Sequence, residues 1–82
     1  MTIKKLLLIK QPEVGKLIRE VRGIAGLIQE QFAGFLSITY STVNRWEKGY
    51  AKPSSLAMQK IEGMLEEMGE LGQKVSVKYL SN

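Results

Sequence analysis

Two short amphipathic segments in the middle of this 82-residue chain constrain its fold more than any other feature. Apolar residues recur at helical spacing in residues 29–36 and again in residues 40–48. Only three residues, Ser37-Ile38-Thr39, separate the two segments. Gly49 suits a helix end and Pro53 cannot continue a helix, so the second segment must stop there. The sequence predicts two short helices joined by a tight turn.

A longer helix is predicted on each side of this pair. The first begins near Pro12, since proline tolerates the first position of a helix. Its apolar stripe consists of Val14, Leu17, Ile18 and Val21. The other begins at Ser54 or Ser55, which serves as its cap, and its stripe runs from Ala57 to Leu71. The predicted fold class is therefore mostly α, a bundle of four helices.

The two ends of the chain favour short strands. Ile3–Ile9 is apolar and β-friendly, and Lys74–Tyr79 alternates between polar and apolar residues, which is typical of a half-buried strand. The two strands could pair within one chain or across two chains. We expect three segments: a strand or arm over residues 1–12, a helical domain over 13–72, and a C-terminal strand over 73–82 that is a candidate dimerisation element.

The residue types on which most enzymes and metal sites depend are missing. The chain has no His, no Cys and no Asp. Zinc sites built on thiolates and catalytic groups built on histidine are therefore excluded. The longest apolar run, Leu6–Ile9, falls far short of the roughly 20 residues of a membrane span. We predict a protein that is not an enzyme, uses no cofactor or metal, does not enter the membrane, and lives in the reducing cytoplasm.

The charge is unevenly distributed along the chain. The net charge is +4, yet residues 54–72 carry four Glu and a single Lys. The remainder of the chain is therefore net basic. This asymmetry suits a molecule with one face for a polyanion and another face that points away from it.

The second short helix has two different faces. On a helical wheel, one arc of about 140° contains Tyr40, Ser41, Asn44, Arg45 and Lys48. The opposite side contains Val43, Trp46 and Glu47. Guanidinium, amide and hydroxyl groups are the ones that read the edges of bases in the major groove. The pattern fits either a DNA-reading face or an ordinary solvated face.

Residues 15–65 resemble the lambda-repressor/Cro-type (XRE-like) helix-turn-helix family of DNA-binding regulators. The resemblance is carried without gaps by Arg22, Gln29-x-x-Phe32-Ala33, Ile38-x-x-Ser41-Thr42-Val43, Trp46-Glu47-x-Gly49 and Pro53. It implies a helix-turn-helix domain over residues 13–72, with the helix over 40–48 inserted in the major groove as the recognition helix.

The resemblance also implies roles for individual residues. Gln29 would bind a phosphate at the start of the second helix, and Lys48 and Lys52 would meet the DNA backbone. The residues expected to touch bases are Tyr40, Ser41 and Arg45, while Thr42 and Asn44 would touch phosphate or base. Arg22 and Glu47 would form a buried ion pair between the first and third helices.

Four positions depart from the family pattern. Ser37 stands where the turn mostly has Gly, so a positive φ there would cost about 1–2 kcal/mol. Ile28 stands at a capping position that usually holds Ser or Thr, so the second helix is expected to lack a side-chain partner at its start. Trp46 is bulkier than the usual aliphatic residue, and Tyr40 is large for a residue that contacts bases.

The sequence thus predicts a regulator, most simply a repressor, that binds double-stranded DNA as a homodimer in a bacterial or phage-infected cytoplasm. Two alternatives remain open. The first is an antitoxin-type regulator that also binds a protein partner such as a toxin or a polymerase. The second is a protein-interaction module that uses the same scaffold without reading DNA.

Overall fold

The computed structural model describes residues 10–80, which form five α-helices. These are α1 (Glu13–Ala25), α2 (Gln29–Leu36), α3 (Tyr40–Glu47), α4 (Ser55–Glu67) and α5 (Glu70–Leu80). The described part of the chain contains no strand, so the predicted mostly-α helix-turn-helix bundle is confirmed. The predicted number of four helices was wrong, because residues 70–80 form a fifth helix in the described part of the chain. The N-terminal strand expected over Ile3–Ile9 lies outside the described residues. None of the helices within residues 10–80 is long and apolar enough to cross a membrane.

The core is built from one apolar stripe on each helix. The predicted stripe of α1 is completely buried, and it packs with residues from every other helix. The largest fully buried side chains are Phe32, Leu17, Ile18, Met58, Ile61 and Leu65. Burial of this apolar surface is the main driving force for the fold. Because α1 lies against α3, α4 and α5, it is the central helix against which the pair of short helices α2–α3 is packed.

The cap of α4 is the first of the two serines that the sequence offered. The hydroxyl oxygen of Ser54 accepts a hydrogen bond from the backbone N–H of Ala57 at 3.2 Å. This contact satisfies one of the N–H groups that a helix leaves unpaired at its start. Helix α4 therefore begins at Ser55 and ends at Glu67, and Gly69, with φ 61°, turns the chain directly into α5.

The prediction of a C-terminal strand was wrong, because Glu70–Leu80 is a helix. Gly72 lies so close to α4 that a side-chain carbon there would overlap the carbonyl group of Leu65. Val75 is buried and Tyr79 is half-buried, which gives this segment an inner face at helical spacing. The alternation of polar and apolar residues over Lys74–Tyr79 is thus a coincidence of composition, and packing against α1 and α4 decides the conformation.

Candidate nucleic-acid interface

The turn between α2 and α3 has a left-handed backbone conformation at Ser37, the position where the sequence has Ser in place of the family's usual Gly. Ser37 has φ 58° and ψ 42°. Its N–H bonds to the carbonyl of Gly34 at 3.1 Å, and the N–H of Ile38 bonds to that of Ala33 at 2.9 Å. These two bonds satisfy the last carbonyl groups of α2 in the manner of a Schellman ending. A non-glycine residue at this φ costs about 1–2 kcal/mol, so the turn is formed against local strain.

A hydroxyl cluster organises the start of α3. The side chain of Thr39 accepts a hydrogen bond from the N–H of Thr42 at 3.3 Å. Its hydroxyl also shares hydrogen bonds with those of Thr42, at 2.8 Å, and Ser41, at 3.2 Å. The hydroxyl groups of Ser41 and Thr42 are therefore held at the N-terminal end of α3, the end that contacts base edges in helix-turn-helix complexes.

The two faces of α3 are arranged as the helical wheel predicts. Val43, Trp46 and Glu47 are buried against the rest of the protein. The other arc is outward: Tyr40, Ser41, Arg45 and Lys48 are exposed, and Asn44 and Thr42 are half-buried. The inner face fixes the rotation of α3 about its own axis. A guanidinium, an ammonium, a phenol and a hydroxyl are left facing solvent.

The end of α3 is closed by a glycine turn that leads into the loop over residues 48–54. Gly49 has φ 83°, a conformation that glycine adopts without a steric penalty. Its N–H bonds to the carbonyl of Trp46 at 3.1 Å, and the N–H of Tyr50 bonds to that of Arg45 at 2.9 Å. Lys48 and Lys52, one on each side of this turn, are both exposed.

A buried carboxylate joins α1 to α3. Arg22 donates to Glu47 from Nε at 2.7 Å and from Nη2 at 3.1 Å, a two-pronged contact with the carboxylate. The Glu47 side chain is only 2% exposed, and Arg19 lies 3.6 Å away with its guanidinium largely in solvent. Arg22 also donates to the carbonyl of Leu27 at 3.1 Å. The ion pair that the resemblance implied is therefore present, and it anchors the C-terminal end of α3.

Burial and the surrounding donors act in opposite directions on the pKa of Glu47. Burial is the largest influence and raises the pKa, since a charged carboxylate loses its hydration. The hydrogen bonds from Arg22 and Gln29, together with the charges of Arg22 and Arg19, outweigh burial and bring the pKa below its ordinary value of 4.5. The hydrogen bond to Glu47 likewise raises the pKa of Arg22.

The structure gives Gln29 a contact that the sequence did not predict. Its Nε2 donates to Oε1 of Glu47 at 2.9 Å, so this side chain joins α2 to the buried carboxylate. A primary amide has two N–H groups and a carbonyl oxygen, and this bond uses only one N–H. Gln29 stays a predicted phosphate ligand. The contact additionally fixes the direction in which its amide points.

The start of α2 is capped in part. Ile28 has no side-chain acceptor, as the sequence indicated, yet its own N–H is not left bare, because Oε1 of Gln31 accepts from it at 3.1 Å. The next N–H groups, in the first turn of α2, lie beside Gln29. A helix start with such N–H groups favours an anion through its dipole and its donors.

A shallow cavity of about 420 Å³ lies between α3 and the start of α4. Its lining includes two cationic side chains, Arg45 and Lys52, two hydroxyl groups, from Thr42 and Ser54, and the ring of Trp46. Sequence reasoning did not single out Ser54 as part of this surface, because its capping role explains its presence completely. Within residues 10–80 no cluster of acidic side chains suited to a metal ion is found.

The geometry can be compared with known protein families. A family model described as helix-turn-helix matches residues 18–71, which is 54 of the 82 residues. The chain belongs to the helix-turn-helix family of the lambda-repressor type. The match spans α2, the Ser37 turn and α3, so the paired short helices are the family's DNA-binding unit. No curated protein and no solved structure matches the chain. Members of this family are DNA-binding regulators, and the outward face of α3 is where this protein exposes Tyr40, Ser41 and Arg45.

Proposed function

We propose that this helix-turn-helix protein binds double-stranded DNA in a sequence-specific manner, with α3 lying in the major groove. The observation that supports this most strongly is the exposure of Ser41 and Arg45 on a helix whose other face is anchored in the core. Arginine can bond to both acceptors of guanine, and serine serves several bases. The one carboxylate on α3, that of Glu47, is buried and paired, so the exposed surface of this helix carries no group that repels phosphate.

Contacts to the DNA backbone would fix the position of α3 in the groove. Gln29 and the N–H groups of the first turn of α2 are proposed to hold one phosphate on one side of the groove. Lys48 and Lys52 would hold the backbone on the other side. Thr42 and Asn44 lie between the two sets and would contact phosphate or base. Tyr40, half exposed at the start of α3, would stack on or bond to the nucleic acid at the edge of the groove.

The regulator is proposed to act as a homodimer on a two-fold operator, with half-sites about 34 Å apart, which is one turn of the duplex. Occupancy of the operator would block a promoter, the simplest action of a repressor in the cytoplasm. The segment over residues 73–82 keeps its proposed role in dimerisation, and the part of it that the structure describes, residues 73–80, is helical rather than a strand. Val77 on α5, which is 55% exposed, offers apolar surface for such a contact.

Selection of bound duplexes from a random library tests the proposal, since it reports the recognised sequence, the site length and the two-fold symmetry together. With the selected duplex, Arg45→Ala should weaken binding by about 1–3 kcal/mol and relax the preference at one position. Lys16→Ala is the matched control, because it removes the same charge from an exposed position on α1, outside the segment proposed for dimerisation. Equal affinity of wild type and Arg45→Ala for every duplex would show that α3 does not read bases.

A second candidate function is supported by apolar residues outside α3. Phe35 and Leu56 are 57% and 64% exposed, and such residues suit a surface that binds a protein partner, as in an antitoxin-type regulator or an interaction module. The selection experiment separates the candidates. A module that does not read DNA would enrich no sequence, and any residual DNA binding would lack a base preference.

A further inference from the structure

The side chain of Gln11 bridges two parts of the chain that are far apart in sequence. Its Nε2 donates to the carbonyl oxygen of Ala51 at 2.7 Å, across 40 residues. Its Oε1 accepts from the backbone N–H of Gly15 at 3.1 Å, which caps the start of α1. The side chain also lies beside Gly49, in van der Waals contact with the position of a Cβ there. One amide therefore connects α1 to the loop that follows α3.

The base of this bridge is rigid. The first turn of α1 lies directly on the end of α3, where a side-chain carbon on Gly15 would come within 2.8 Å of the carbonyl oxygen of Trp46. Such an approach leaves no room for a larger residue, so α1 and the end of α3 have a fixed relative position. The hydrogen bond from Gln11 to Ala51 holds the middle of the loop, next to Lys52, against the start of α1.

We infer that Gln11 is a positioning residue for DNA binding, which holds the loop over residues 48–52 so that Lys48 and Lys52 face the DNA backbone while α3 lies in the groove. The inference rests on the proposed function. The glycine turn that closes α3 and the burial of Pro53 do not use the Gln11 side chain, so we expect the fold to persist without the bridge. The loop would then have to be ordered on binding, which costs conformational entropy.

Only an amide satisfies both ends of the bridge. Ala51 offers a carbonyl acceptor and Gly15 offers an N–H donor, and glutamine presents one donor group and one acceptor group at the required reach. Glutamate would place a second acceptor against the carbonyl of Ala51 and add a negative charge. Methionine has a similar length and no charge, and it makes neither strong hydrogen bond. Gln11→Met is therefore the cleaner test.

The experiment compares wild type, Gln11→Met, Lys52→Ala and the double variant by gel-shift titration of the selected duplex and of an unrelated duplex. Gln11→Met is expected to weaken binding to both duplexes by the same factor of about three to ten, which corresponds to ordering one or two side chains on binding. The salt dependence should stay that of wild type for Gln11→Met, because the lysine contacts still form once the loop is ordered on the DNA, and should become shallower by about one phosphate contact only for Lys52→Ala. In the Lys52→Ala background, the same change should cost less than about twofold, because coupled residues are not additive.

An equal loss from Gln11→Met with and without Lys52 would overturn the inference, and so would no loss in a variant that thermal unfolding shows to be folded. Should Gln11→Met not fold, the Nε2 protons of Gln11 in the wild-type protein provide the test by NMR. Slow exchange with water supports the bridge, and random-coil shifts with fast exchange overturn it. Failure of the proposed function would give a different result. Wild type and Arg45→Ala would then bind every duplex with equal affinity, whatever the effect of Gln11→Met.

Discussion

Helix α1 is joined by ion pairs to two different helices. The two ion pairs have nearly the same length but differ in solvent exposure. Arg22 meets Glu47 of α3 at 2.7 Å, and Glu20 meets Lys78 of α5 at 2.8 Å. The Glu47 side chain is 2% exposed, whereas the Lys78 side chain is 60% exposed. A solvent-exposed ion pair contributes little to the free energy of unfolding, whereas a buried carboxylate that loses its partner destabilises the protein strongly. The same distance thus describes two contacts of very different importance.

The comparison shows how the two sides of α1 are stabilised. On the α3 side, a single carboxylate receives hydrogen bonds from Arg22 of α1 and Gln29 of α2, so polar contacts organise the DNA-binding unit. On the α5 side, Val75 is buried in the core and the close approach of Gly72 to Leu65 holds α5 against α4, so apolar packing positions α5 and the ion pair to α1 is peripheral. We therefore expect substitutions of charged residues to matter at α3, and substitutions that change side-chain volume to matter at α5.

The largest effect is expected from Arg22→Met, which leaves Glu47 buried without its main partner. The free energy of unfolding should fall by about 3–5 kcal/mol, the usual result of removing one member of a buried pair. Urea denaturation followed by circular dichroism measures this. Arg19→Met is the control, because Arg19 is exposed and makes only long contacts with Glu47, one of 3.6 Å to the carboxylate and one of 3.5 Å to the backbone carbonyl oxygen. If Arg22→Met lowered the free energy of unfolding no more than Arg19→Met does, Glu47 would be stable in the core without its ion-pair partner.

The protonation of Glu47 gives a second test of the α3 side. Because the pKa of Glu47 in the folded protein lies below its ordinary value of 4.5, ionisation of Glu47 stabilises the fold above that pH. This stabilisation is lost as the pH falls through the lowered pKa. In Arg22→Met the main hydrogen bond is lost, so burial should raise the pKa of Glu47 and the variant should regain stability when this carboxyl is protonated. The difference in unfolding free energy between wild type and Arg22→Met should therefore begin to shrink above pH 4.5 and continue to shrink as the pH falls through the lowered pKa of the wild type. A difference that stays constant down to pH 3 would contradict the assignment.

On the α5 side, the expected sensitivity is to volume. Gly72→Ala would place a methyl group against the carbonyl of Leu65 and should lower the free energy of unfolding by about 1–3 kcal/mol, as overpacking does. Gly23→Ala is the matched control, because a side-chain carbon at Gly23 meets nothing within 4 Å. Alanine in that helical position should stabilise the protein by about 0.5–1 kcal/mol. Equal effects of the two substitutions would mean that α5 moves freely away from α4.

The contrast between α3 and α5 also explains what the sequence could predict. The period of the apolar residues in α3 agrees with its burial, and Glu47 falls on the inner face with Val43 and Trp46, so the local pattern is sufficient. The pattern of α5 is ambiguous, because Val75 and Val77 are two residues apart as in a strand. Only one of them is buried, and packing on α1 and α4 makes that choice. Such information is absent from a local reading of the sequence.

Polar contacts between residues far apart in the chain were the other feature that could not be predicted from the sequence. The family pattern predicts Gln29 as a phosphate ligand, but it does not predict the hydrogen bond from Gln29 to Glu47, which depends on how α2 packs against α3. Gln11 carried no signal at all, since its partner Ala51 uses a backbone carbonyl, which every residue has. Side chains that bond to distant main-chain atoms leave no mark in composition or periodicity.

The smallest effect is expected where α5 meets α1 through Lys78. The hydrogen bond that Lys78 donates to Glu20 is the main influence that raises the pKa of Lys78, but the ammonium group remains in solvent, where salt screens the attraction. Lys78→Gln should therefore leave the thermal midpoint unchanged at physiological salt, with a slight decrease only at low ionic strength. Lys74→Gln, one turn earlier on the same helix, removes the same charge and serves as the control. Lys78→Gln could instead lower the stability nearly as much as Arg22→Met does, even in high salt. The α1–α5 ion pair would then be as important as the buried one, and the distinction between the two sides of α1 would be wrong.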